Sequence, residues 1–300
     1  MTFRRIAGLI VALAAVLAPS LHGQTPAEDR FFDSTGVRIR YVDVGRGEPV
    51  VLIHGFSSSL DANWGQTRVI DALAKDFRVV AFDVRGHGKS DKPHDPASYG
   101  LAIVEDVTRL LDHLGIAKAH IVGYSMGGAI TGKFITTHPD RAITAVFGGS
   151  SPRLGTTAQV ERDANDLADS LEQGHGMRPL ILRLAPPNEP KPSDETIEQQ
   201  SRAILGRNDP LALAAVQRSN KDQTVTLAEV RALKMPLLAV IGSADPIKAG
   251  VEAFKRVKPE LQVVVIEGAT HSGARGAPSR PEFAAAVHDF LAAHRSATDR

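Results

Sequence analysis

A serine flanked by glycines, at the junction of a strand and a helix, constrains this chain more than any other feature. Ala119 to Val122 reads as a short buried strand. Gly123-Tyr124-Ser125-Met126-Gly127-Gly128 follows it, and Met126 to Thr137 carries a helical pattern closed by His138-Pro139. A strand that turns sharply into a helix strains its corner residue and pushes that side chain out of the sheet, so only small neighbours fit beside it. The Ser125 hydroxyl is then expected at a helix N-terminus, with the N–H of Met126 available to an oxyanion. A serine hydroxyl is a poor nucleophile until a base takes its proton, so the same sheet edge must also supply a base.

The surrounding pattern is that of a parallel sheet. Val37 to Val44 alternates apolar and polar residues, and Asp33 to Gly36 supplies a turn before it, which predicts a hairpin near a sheet edge. Val50 to Ile53, Val79 to Phe82, Ala119 to Val122 and Ala142 to Phe147 are short runs without full alternation, as expected of strands covered on both faces. Leu237 to Ile241 and Gln262 to Ile266 come much later. Between the runs lie helical patterns, one ending at Asp71 to Ala74, one over Ile103 to Leu114 and one over Pro281 to Ala293. Strands alternating with helices predict an α/β class with a mostly parallel central sheet. The stretch from Ser151 to Met235 interrupts the alternation. It holds no convincing strand, a proline-rich segment from Pro186 to Pro192, and helical patterns around Ala164 to Leu171, Asp194 to Leu205 and Pro210 to Ser219. It is expected to be a small helical cap over the C-terminal edge of the sheet. The division is then 24–150 and 236–300 as core, with 151–235 as cap.

The chain has 11 histidines. His271, in Gly268-Ala269-Thr270-His271-Ser272-Gly273, lies between the last strand and the last helix, at the same sheet edge as Ser125. His113, His138, His288 and His294 fall on helices or their ends, so His271 is the expected base. A base of this kind needs an acceptor that fixes its tautomer. Asp245, in Gly242-Ser243-Ala244-Asp245-Pro246 after the strand Leu237 to Ile241, fits, whereas Gly148-Gly149-Ser150-Ser151 carries no carboxylate. A second oxyanion donor is expected from His54-Gly55-Phe56, through the N–H of Phe56. Trp64 and Leu154, with Phe56 and Met126, are candidates for an apolar acyl pocket, although such residues more often belong to a core.

His54-Gly55-Phe56, Asp83-x-Arg85-Gly86-His87-Gly88-x-Ser90, Gly123-x-Ser125-x-Gly127, Gly242-x-x-Asp245 and Gly268-x-x-His271 occur in one order and spacing. In this the chain resembles the α/β-hydrolase superfamily, most of all its esterase and lactonase branch with the cofactor-free haloperoxidases. The resemblance implies a serine nucleophile, an acyl-enzyme intermediate, hydrolysis by water, and neither metal nor cofactor. It implies a structural role for the Arg-Gly-His-Gly loop. The substrate expected is a small-molecule ester or lactone. The same triad serves carbon–carbon bond hydrolysis, acyl transfer and perhydrolysis, and a non-catalytic binding protein on this scaffold is a further alternative.

The N-terminus points to export. Arg4 and Arg5 precede an apolar run from Ile6 to Leu17, then Pro19 and small residues, the order of a signal peptide spanning 1–23. Cleavage after Ser20 or after Gly23 both fit, and a periplasmic or secreted protein is expected, with no stable membrane association once the signal is removed. An uncleaved anchor is the alternative, although the run is shorter than the ~20 residues that span a bilayer. Without any cysteine the chain has no disulfide, thiolate nucleophile or lipid-modified anchor cysteine. A net charge of +1 with no basic stripe disfavours a nucleic-acid partner.

Overall fold

The computed structural model describes residues 28–155 and 157–296. The segment read as a signal peptide lies outside them.

Strands β1 (Arg30–Ser34), β2 (Val37–Gly45), β3 (Pro49–Ile53) and β4 (Arg78–Phe82) come first, with helix α1 (Val69–Leu73) between the last two. Next come α2 (Leu101–His113), β5 (Ala119–Tyr124), α3 (Met126–Thr137) and β6 (Ala142–Gly148). Five helices follow without an intervening strand: α4 (Ala158–Glu172), α5 (Arg178–Arg183), α6 (Asp194–Leu205), α7 (Pro210–Ser219) and α8 (Leu227–Ala232). The chain ends with β7 (Leu237–Gly242), α9 (Lys248–Val257), β8 (Gln262–Ile266) and α10 (Pro281–Ala293). The eight strands form one sheet in the order β1-β2-β4-β3-β5-β6-β7-β8. The β1–β2 hairpin is antiparallel and β2 joins β4 antiparallel; every other neighbour is parallel.

The two-residue period of a strand builds a core on each side of this sheet. Val51 and Ile53 of β3, with Val80 and Phe82 of β4, pack beneath α2, α3 and α9. Their alternates Val50, Leu52, Val79 and Ala81 pack with residues of α1 and α10. Both faces are therefore sealed, which is why these runs lack polar alternation. Strand β8 differs: it is an edge, and Val263, Val264 and Val265 are exposed.

Between β6 and β7, α4, α5 and α7 close around Leu167, Leu171, Met177, Leu180 and Leu213. Local sequence sets these helices: Ser193 and Asp209 accept the first N–H groups of α6 and α7, and Thr226 with Glu229 forms a capping box on α8. Phe56, in the loop after β3, packs against both this small core and the core under α3. It marks where the helical unit meets the sheet. Among the described residues of the unit, the one strand-like contact is the parallel bridge of Leu154 to Val225.

Candidate active site

Parallel strands deliver their following loops to one edge. Ser125 follows β5, Asp245 follows β7, His271 follows β8, and the Gly55-Phe56 loop follows β3. Residues far apart in the chain therefore converge. His271 Nε2 lies 2.9 Å from Ser125 Oγ, and His271 Nδ1 lies 2.9 Å from Asp245 Oδ2. Asp245 and His271 are buried, at 3% exposure each, while Ser125 is half-buried and so open to a substrate. The second carboxylate oxygen of Asp245 accepts the N–H of Ile247 at 2.9 Å. That leaves Oδ2 facing the imidazole.

Ser125 sits at φ 53°, ψ −113°, a region that only a strongly determined backbone holds a serine in. Close packing enforces it. A Cβ on Gly127 would lie 2.0 Å from the Ile53 carbonyl oxygen, and one on Gly123 would lie 2.1 Å from the Gly127 carbonyl oxygen. These neighbours are backbone atoms and cannot swing away. Gly127→Ala is expected to lower stability by roughly 3 kcal/mol through overpacking, and to lower turnover too, because the displaced atoms include the His54 carbonyl 2.9 Å away. A urea midpoint within error of the wild type would contradict this.

The N–H groups of Phe56 and Met126 meet no acceptor among the described residues. Met126 opens α3, where the first-turn N–H groups have no helical partner. The Phe56 loop comes directly against Ser125: a Cβ on Gly55 would lie 3.3 Å from Ser125 Cβ. His54 holds this loop. Its Nδ1–H donates to the Gly55 carbonyl at 2.8 Å, and its Nε2 accepts the N–H of Val84 at 3.0 Å. Burial lowers its pKa, so it is neutral, as that pair of bonds requires. His87 packs edge-on to both His54 and Phe56, and burial pushes its pKa down to about 3. In the same loop Arg85 chelates buried Asp106 with bonds of 2.7 and 2.6 Å.

Two contributors have no sequence signature. Asn63 accepts the Gly55 N–H at 2.9 Å and so braces the Phe56 loop. Tyr124 donates its hydroxyl to the His271 carbonyl at 2.5 Å, and burial holds its pKa well above the ordinary phenol value. Trp64 is corrected: it is fully buried, packed against Tyr124 and Phe283, and lies in the core shared with α1 and α10. It cannot wall an open acyl pocket. Leu154 is half-buried against the core that contains Met126. No group of three or more metal-ligating side chains occurs among the described residues.

The family model described as the alpha/beta hydrolase fold matches residues 48–173. Among solved structures, a thermophilic esterase from Thermogutta terrifontis superposes with a TM-score of 0.73 at 26% identity, over 90% of this chain and 100% of that one. Among curated relatives, the 2-hydroxy-6-oxo-6-(2'-aminophenyl)hexa-2,4-dienoic acid hydrolase of Metapseudomonas resinovorans is 27% identical, over 76% of this chain and 78% of that protein. The dihydrolipoyllysine-residue acetyltransferase component of the acetoin cleaving system of Cupriavidus necator is 37% identical over 41% of this chain, but the match spans only 35% of that longer protein. The shared region, the eight-stranded mostly parallel sheet and the full-length superposition agree: this chain belongs to the α/β-hydrolase superfamily.

Proposed function

We propose that the chain is an exported serine hydrolase that cleaves a carboxylic ester or lactone through an acyl-enzyme on Ser125. The observation that carries the reading is the pair of 2.9 Å contacts running from Ser125 through His271 to Asp245. His271 takes the Ser125 proton as Oγ attacks the carbonyl, and Asp245 holds the imidazole with its Nε2 lone pair toward the hydroxyl. The N–H groups of Phe56 and Met126 receive the oxyanion. The proton returns to the leaving alcohol, a water deprotonated by His271 attacks the acyl-enzyme, and the acid departs. Export rests on the basic and apolar order of residues 4–17; full-length protein confined to a cytoplasmic fraction would overturn it.

A carbon–carbon bond hydrolase is the second reading, favoured by the likeness to the dienoic acid hydrolase over 76% of the chain. A p-nitrophenyl ester series of rising acyl length, run beside a fluorophosphonate probe, separates the two. Ester turnover with labelling of Ser125 is expected. Labelling without turnover of any ester would move the reading to the carbon–carbon bond. Neither labelling nor turnover would leave a non-catalytic binding protein.

A further inference from the structure

Among the described residues, four other than glycine have positive φ: Thr35, Ser57, Arg68 and Ser125. The corner after β5 accounts for Ser125. Ser57, at φ 55°, lies one residue past the oxyanion donor Phe56. Gly55 to Ser58 is a turn, closed by the Ser58 N–H on the Gly55 carbonyl at 3.3 Å. A turn with a left-handed third residue ordinarily carries glycine or asparagine there, and serine is strained in it. Something outside the turn must hold Ser57. Among the described residues one hydrogen bond reaches it, and that bond comes from the helical unit between β6 and β7: Asn208 Nδ2 donates to the Ser57 carbonyl at 3.0 Å.

Peptide planarity carries this bond to the oxyanion donor. The Ser57 carbonyl shares a plane with the Ser58 N–H, and the Ser58 N–H holds the Gly55 carbonyl. The Gly55 carbonyl in turn shares a plane with the Phe56 N–H. Were Ser57 to relax out of φ 55°, the Ser58 N–H would leave the Gly55 carbonyl. Only the His54 Nδ1–H, at 2.8 Å, would then restrain the peptide that presents the Phe56 N–H.

Asn208 is itself firmly placed. Its Nδ2 also donates to the Ile204 carbonyl at the end of α6, at 2.9 Å. Both neighbours are carbonyl oxygens, so the NH₂ and not the amide oxygen must face them. Ile204 and Leu205 pack on the same small core as the Phe56 ring. The next residue, Asp209, starts α7 by accepting the Leu211 and Ala212 N–H groups on Oδ1, and its Oδ2 meets His94 Nε2 at 2.9 Å. The corner between α6 and α7 therefore grips the sheet-bearing part of the chain at two adjacent residues.

We propose that Asn208 is a positioning residue: by holding Ser57 in its strained conformation, the helical unit sets the Phe56 N–H against the oxyanion formed at Ser125. The proposal rests on the reading of Ser125 as nucleophile. A residue that acts on the oxyanion donor affects the transition state more than the bound substrate. Asn208 thus governs kcat for every acyl chain alike, unlike a residue that lines an acyl pocket.

The test measures p-nitrophenyl ester kinetics over several acyl lengths and the rate of fluorophosphonate labelling. In labelling, Ser125 Oγ bonds phosphorus, His271 takes the proton and fluoride leaves, while charge develops on the phosphoryl oxygen that the same donors receive. Asn208→Ala is expected to lower kcat and the labelling rate about 10–100-fold, with KM within about threefold and the same factor at each acyl length. Asn208→Asp keeps the shape and offers no donor, so it carries the same expectation and replaces Asn208→Ala should that variant not fold. Glycine adopts positive φ freely, so Ser57→Gly added to either variant is expected to restore the rate at least about fivefold. A purely structural role at the end of α6 would gain nothing from that second change. An unchanged labelling rate, a loss confined to KM or to one acyl length, or a loss that Ser57→Gly does not relieve overturns the proposal. Where the wild type takes up label but turns over no ester, the labelling rates alone decide in the same terms. Wild type that labels at the same rate as its variants sinks only the role of Asn208, whereas wild type that neither labels nor turns over an ester sinks the hydrolase reading and this role with it.

Discussion

Ser125→Ala is expected to lower ester turnover by ~10⁶-fold, because the residues that activate and receive the proton then have nothing to act on. What survives should be the contribution of the oxyanion donors and substrate binding, on the order of 10³-fold over water. The fold should persist. Alanine keeps the Cβ, the strained φ of 53° is imposed by packing around Gly123 and Gly127, and among the described residues the serine hydroxyl bonds only His271. The melting temperature of the variant is therefore expected to match the wild type or exceed it slightly. The measurement is initial rate on the best p-nitrophenyl ester, with fluorophosphonate titration to exclude wild-type carry-over. A variant that retains a hundredth of the wild-type rate would show that Ser125 is not the nucleophile.

The elements that place this serine were legible because each carries a local cause. Pro210 and Pro281 open α7 and α10 at first-turn positions, Ser193 caps α6, and the apolar runs of β3 to β7 are buried on both faces. Strand β1 was legible only as an unnamed partner to the hairpin turn: Arg30, Phe31, Phe32, Asp33 and Ser34 give an edge strand too short and too polar for its own pattern. Helix α9 was not legible, since Val251 and Phe254 are its buried side chains and Gly250 lies in its first turn. The site divides in the same way. Ser125, Asp245 and His271 each sit just past a strand, so element order brings them to one edge. Asn63 and Tyr124 act through contacts with no spacing rule, the second reaching the His271 carbonyl 147 residues away. Trp64 was misplaced because periodicity tells that a residue is apolar and not which of the two cores takes it.

Asp245→Asn should have the next largest effect, and its cause is a proton rather than a contact. Asp245 Oδ1 accepts the N–H of Ile247 at 2.9 Å while Oδ2 faces His271 Nδ1 at 2.9 Å. An asparagine that keeps its carbonyl on Ile247 must turn its NH₂ toward the imidazole. Nδ1 then accepts, the ring proton moves to Nε2, and Nε2 faces Ser125 Oγ as a donor where a base is required. A loss of ~10⁴-fold in kcat is expected from the wrong tautomer alone. KM should change little, because the cap and the Phe56 loop are untouched. Stability should change little as well, since the side chain keeps its shape and its bond to Ile247. Fluorophosphonate labelling of Ser125 should slow in step with kcat, which a loss of substrate binding would not produce. If the variant stays within tenfold of the wild type in both readouts, Asp245 does not orient the base, and the buried carboxylate beside His271 is a structural partner only.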